Sequence, residues 1–130
     1  MKSKALSLGC AVILALAVQV AGAHHAANAF DRSNPLTVTG TVKKFRWSNP
    51  HCWLSLDVTN ESGGDGEWVL EGASVSVLAR SGWNSQSVKA GDKVKVLVAP
   101  RKDGKAGGEF LSVTLTETGQ VLQWGPYARS

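Results

Sequence analysis

EWVLEGASVSVLARSGW, residues 67–83, changes its period halfway along. Glu67 to Glu71 alternates as a strand does. After Gly72 and Ala73 the spacing becomes helical. Ser74 stands at a helix N-cap, Val75, Leu78 and Ala79 form one apolar stripe, and Gly82 fits the C′ position. Trp83, just beyond, is placed to fold back onto the helix end.

Upstream of this stretch lie two more strands. Leu36 to Trp47 puts Val38 and Val42 on one face with Gly40 between them, and threonines on the other. A glycine inside a strand predicts a bulge or a sharp coil. Ser48-Asn49-Pro50 interrupts the run. His51 to Thr59 follows, with Cys52, Leu54, Leu56 and Val58 on one face and His51, Trp53, Ser55 and Asp57 on the other. Residues 60–66 are a glycine-rich turn.

Downstream, Lys89-Ala90-Gly91-Asp92 turns into a fourth strand in which Val94, Val96 and Val98 alternate with Lys93, Lys95 and Leu97. Phe110 to Thr118 makes the fifth, with Leu111, Val113 and Leu115 expected inward. The order is β-β-β-α-β-β. One helix between strands three and four predicts an OB-fold-like five-stranded Greek-key barrel, all-β apart from that helix. A β-sandwich is the alternative, but it needs about seven strands. The barrel domain is expected over 36–118, an N-terminal arm over 24–35, and a loose C-terminal tail over 119–130 carrying Trp124 and Tyr127.

The chain of 130 residues has room for one domain. Hydrophobic residues at 43% and charged residues at 18% are enough for a core and argue against disorder. A net charge of +4 is too mild for a dedicated nucleic-acid binder, so no nucleic acid is expected as a partner.

Residues 1–23 have the form of a secretory signal peptide: Lys2 and Lys4, an apolar run from Ala5, and Ala21-Gly22-Ala23 as a cleavage site. A second such site, Ala27-Asn28-Ala29, would leave Phe30 first. Cleavage removes Cys10 and lowers the charge to +2. Cys52 is then alone and no internal disulfide can form. A periplasmic or secreted protein without a later membrane span is expected.

The candidate chemistry rests on histidines and tryptophans. Cleavage after Ala23 gives His24 an α-amine beside its imidazole, nitrogen ligands that suit Cu(II). Cleavage one residue earlier puts a histidine third in Ala23-His24-His25, a square-planar spacing for Cu(II) or Ni(II). His51 would be a further ligand, so His24, His25 and His51 form the candidate set for copper or zinc. The plainer reading is a free terminus and an exposed strand histidine. Cys52 falls on the apolar face, where a thiol acts as a small hydrophobe. Trp47, Asn49, His51, Trp53 and Trp68 surround the face around strands two and three, where OB-folds hold ligands. Aromatics there either stack on a ligand or plug the barrel ends. No nucleophile, base and acid set converges, so no catalytic residue is assigned and an enzyme is not expected.

Ala23-His24-His25, Phe30-Asp31, Thr39-Gly40-Thr41-Val42, Trp47-Ser48-Asn49-Pro50-His51, Gly82-Trp83 and Lys89-Ala90-Gly91-Asp92 occur together. In this combination the chain resembles a family of small secreted bacterial proteins known only as a domain of unknown function. The Trp-x-Asn-Pro-His stretch is its most specific element. The family tends to carry Ser-Phe after the two histidines, where this chain has Ala26-Ala27. The resemblance implies location and domain extent, and brings no activity with it.

The expected function is a non-enzymatic periplasmic binding module for a small ligand, a metal or an envelope protein. The alternatives are a haem or cofactor chaperone, argued from fold analogy, and an accessory subunit of a cell-envelope complex.

Overall fold

A computed structural model describes residues 29–59 and 65–128. The expected signal segment, the two expected cleavage sites and both His24 and His25 lie outside the described residues except for Ala29. The elements are β1 (Leu36–Arg46), β2 (Trp53–Val58), β3 (Gly66–Glu71), α1 (Val75–Arg80), β4 (Lys93–Pro100), β5 (Gly108–Leu115) and β6 (Val121–Gln123), followed by a 3-10 turn at Gly125–Ala128.

The sheet runs β3-β2-β1-β4-β5-β6, and a parallel pairing of β3 with β5 closes the first five strands into a barrel. With α1 between β3 and β4, this is the OB-fold-like architecture read from the sequence. β1 serves two neighbours. Leu36 to Thr41 pairs with β4, and Gly40 to Arg46 pairs with β2. Gly40 lies where both pairings meet, and a Cβ there would stand 2.3 Å from the Asp57 carbonyl oxygen. The irregularity expected at Gly40 falls instead between Val42 and Lys44, with Lys43 as the extra residue. Gly40 permits the close approach of β2, and Lys43 makes the bulge.

The inward faces form one core. Val38, Val42, Leu54, Leu56, Leu70, Leu78, Val94, Val96, Val98, Phe110 and Val113 are all buried in it. Each large aliphatic contributes on the order of 1.5–3 kcal/mol by leaving water. Phe45, Trp83 and Phe110 cross the barrel end as tilted neighbours, with ring centroids 6.0 and 5.5 Å apart. The Trp83 indole N–H donates to the Gln123 carbonyl at 3.0 Å.

Helix α1 ends as its sequence indicates. Gly82 has φ +88°, its N–H donates to Ala79 O, and the Trp83 N–H donates to Leu78 O. That bond pair is a Schellman motif, and it turns Trp83 under the helix. The start of the helix differs from expectation. Ser74 makes no side-chain cap, and Asn49 from the β1–β2 loop accepts the Val75 N–H at 3.1 Å instead.

The segment expected to be a loose tail from Gly119 is ordered structure. Val121, Leu122 and Gln123 pair with Thr114, Val113 and Ser112, and Leu122 is buried. The Trp124 indole donates to Phe110 O at 2.8 Å. A three-residue strand with one inward aliphatic is too short to show alternation, so the sequence pattern missed it. β5 also differs: it starts at Gly108 and ends at Leu115, and a register shift puts Phe110 and Val113 inward. Leu111 is buried but lies outside the main core cluster.

The N-terminal arm is fastened to the barrel. Asp31 N–H donates to Pro100 O, Lys102 N–H donates to Ala29 O, and Phe30 bridges Arg101. Arg32 makes a bidentate pair with the nearly buried Glu109, at 2.6 and 2.7 Å. Among the described residues no helix is long and apolar enough to cross a membrane.

Candidate functional site

The β1–β2 loop, residues 47–52, is held by bonds to the segment after β3. Cys52 N–H donates to Ala73 O and Gly72 N–H donates to Cys52 O. Ser48 Oγ donates to His51 O at 2.9 Å. The Asn49–Pro50 bond is cis. This framework fixes His51. Its Nδ1 lies 3.0 Å from Gly72 O and 3.1 Å from Glu71 Oε1. Both neighbours are acceptors, so Nδ1 carries the proton and the neutral ring keeps its lone pair on Nε2. The His51 side chain is 44% exposed, and Nε2 has no hydrogen-bond partner among the described residues.

Beyond His51 the outer face of β1, β2 and β3 is a grid of cross-strand rungs. Arg46, Trp53 and Glu71 stand in one rung, and Lys44, Ser55 and Val69 in the next. Rungs two residues apart on a strand are about 7 Å apart. Lys44, Arg46, Trp53, Ser55 and Val69 line a shallow cleft of about 240 Å³. Val69 is 47% exposed. The rung after these, Thr41, Asp57 and Glu67, is acidic on two of its three positions.

The cations of the barrel surface are not equivalent. Lys43 pairs with Glu67 at 2.8 Å, and that carboxylate raises the lysine pKa. Arg101 pairs with Asp103, which pushes the aspartate well below the usual carboxylate range. Arg32 is taken by Glu109. Among the described residues Lys44 and Arg46 have no carboxylate partner, and both line the cleft with Trp53.

The sequence-predicted site residues divide. His51 and Trp53 come together, since Glu71 touches His51 and stands opposite Trp53. Asn49 is adjacent, but its side chain caps α1. Trp47 is partly buried against the core, 6.0 Å from the Phe45 ring. Trp68 does not share the face of Trp53. It stands opposite the inward Leu56, packs on the core, and lines a separate cleft with Leu36, Pro100 and Arg101. Trp53 and Trp68 lie on different strands, so only the β2–β3 register, which sets Trp68 opposite Leu56, decides that they face opposite ways.

Of the metal set only His51 lies within the described residues, and no group of three His, Cys, Asp or Glu side chains is arranged there for a metal ion. Cys52 is fully buried, its Sγ reaches Ser48 O at 3.6 Å, and burial pushes its thiol pKa up. It is a core residue.

Sequence reasoning missed Lys44, Arg46, Val69 and Glu71. Lys44 and Arg46 stand in a basic run, Lys43-Lys44-Phe45-Arg46, that has no binding pattern of its own. The available signal was the spacing of Val42 and Phe45. Two inward residues three apart in a strand require a bulge between them, and the bulge sets Lys44 and Arg46 on the outer face beside Trp53.

No curated protein and no solved structure matches the chain. A family model matches residues 11–110, most of the chain, through the barrel into β5. The chain therefore belongs to that family, a family of unknown function (DUF6152).

Proposed function

We propose that this protein is a secreted, non-enzymatic binding module whose ligand surface is the outer face of β1, β2 and β3, centred on Trp53. One observation carries the reading: a partly exposed tryptophan lines a cleft with two cations, Arg46 in its own rung and Lys44 in the next, that have no carboxylate partner among the described residues. Burying a charge-flanked aromatic surface under a ligand regains stacking and charge-assisted contacts that water now screens. This is also the face on which OB-folds bind.

Secretion is supported by the basic, apolar and small-residue order of residues 1–23. The non-enzymatic reading is supported by the candidate nucleophiles. Cys52 is buried, and Ser48 Oγ donates to a backbone carbonyl, not to the His51 ring.

The test is amide NMR of the full chain with a mixture of sugars, sugar acids and aromatic acids. Shifts gathered on residues 44–46, 51–55 and 69–71 support the reading. Shifts gathered around Trp68 and Arg101, or none at all, contradict it.

A second reading draws on the His51 geometry. An imidazole whose Nδ1–H is held by a carboxylate and a carbonyl, with Nε2 free, is oriented as metal-bound histidines are. In that reading His51 binds copper, zinc or a haem iron, with His24 and His25 as further ligands. Loss of copper or zinc affinity in both His51→Ala and His24→Ala supports it, and unchanged affinity removes it.

A further inference from the structure

We infer that the Trp53 face takes a saccharide bearing a single carboxylate, an inference that rests on the reading of this face as the ligand surface. The indole of Trp53 supplies a flat apolar platform. Its N–H has no partner among the described residues, whereas the N–H groups of Trp83 and Trp124 are used inside the fold. A pyranose ring offers the matching pair of surfaces: an apolar face of C–H groups to stack on the indole, and hydroxyls at its edge to accept from the N–H. Ser55, in the next rung, both donates and accepts, as a sugar hydroxyl requires. Val69 completes the apolar floor. The cleft of about 240 Å³ lies below the roughly 300–1,000 Å³ of sites for drug-sized ligands, so it holds one ring and leaves the rest of the chain outside.

The charges select the ligand further. Arg46 shares the Trp53 rung and presents a fork that matches a carboxylate, with Lys44 one rung away as a second cation. The positive strip ends there. Glu71 closes it on the β3 side, and Asp57 with Glu67 closes the next rung. A chain with a negative charge on every unit would run into these carboxylates. Nucleic acid also needs successive aromatic platforms along a continuous basic groove, and Trp53 is the one aromatic residue in these rungs. A mostly neutral saccharide with one acidic group meets the cations and avoids the acids.

The experiment follows the Trp53 indole N–H by NMR in the full chain during titration with cellobiuronic acid. Cellobiose, which lacks only the carboxylate, is the neutral match, and a short oligothymidylate is the polyanion. The expected result is a saturable Trp53 shift with the sugar acid and binding weaker by roughly tenfold or more for cellobiose. Arg46→Gln with Lys44→Gln should bring the two sugars to equal affinity while leaving the Trp83 and Trp124 resonances in place. Equal affinity of the two sugars for the unmodified chain overturns the inference, as does a sugar-acid affinity that the double variant leaves unchanged. A Trp53 shift with oligothymidylate and none with the sugar acid overturns the saccharide class and leaves the ligand face standing. If neither these probes nor the small-molecule mixture moves residues of this face, both readings fall.

Discussion

Asn49 Oδ1 accepts the backbone N–H of Val75 at 3.1 Å, so the loop between β1 and β2 caps a helix that begins 26 residues later. The bond uses one of the donors that a helix start leaves unpaired, and it pins the loop that carries His51. Asn49→Ala should cost about 1 kcal/mol in urea unfolding, the usual worth of an N-cap. Ser74→Ala should cost clearly less, because Ser74 Oγ reaches only Ser76 Oγ and caps nothing. Equal losses for the two variants would contradict the assignment.

Gly72 lies under the Phe110 ring. A Cβ at this position would stand 2.2 Å from the ring, which is itself fully buried. Gly72→Ala should therefore destabilise by roughly 1–3 kcal/mol through overpacking. Gly82→Ala meets open space but a positive φ of +88°, so its cost should come from backbone strain alone. Combining Gly72→Ala with Phe110→Leu should recover part of the first loss, and a purely additive double variant would refute the contact.

The barrel was legible because its strands are long enough to alternate and because a helical period stands between the third and fourth. β6 was not, since Leu122 is its single buried residue. The same limit explains the site. Period-two reading places His51 and Trp53 on one face correctly, but only the bulge at Lys43 brings Lys44 and Arg46 onto it. The contacts of His51 Nδ1 with Gly72 O and Glu71 Oε1 join residues 21 and 20 apart and leave no local pattern. The β2–β3 register, which no local pattern encodes, sets Trp68 opposite Leu56 and so turns it inward, away from Trp53.

Cys52 gives a pH signature. Burial raises its thiol pKa above the ordinary 9.0, so the folded state keeps a proton that the unfolded chain releases. Stability from this group is fully present below pH 9 and is lost as pH rises above it. Cys52→Ala should flatten that decline, measured as unfolding free energy from pH 7 upward. Thiol-directed alkylation of the native protein should proceed only at the rate of opening. Rapid alkylation at neutral pH would place the thiol at the surface.

The tryptophans should separate by stability. Trp83→Ala removes a buried ring in contact with Phe45 and Phe110, and should cost about 3–5 kcal/mol. Trp53→Ala removes a partly exposed ring on the outer face and should stay within about 1 kcal/mol. A large loss at Trp53 would mark it as a structural residue and weaken its assignment to a ligand.

The most direct measurement is a fluorine NMR spectrum of the full chain labelled with 5-fluorotryptophan, each line assigned by a Trp→Phe variant, during titration with cellobiuronic acid. The Trp53 line should shift and saturate while those of Trp68, Trp83 and Trp124 hold still. A shift confined to Trp68, or no shift at Trp53 at any concentration, would contradict it.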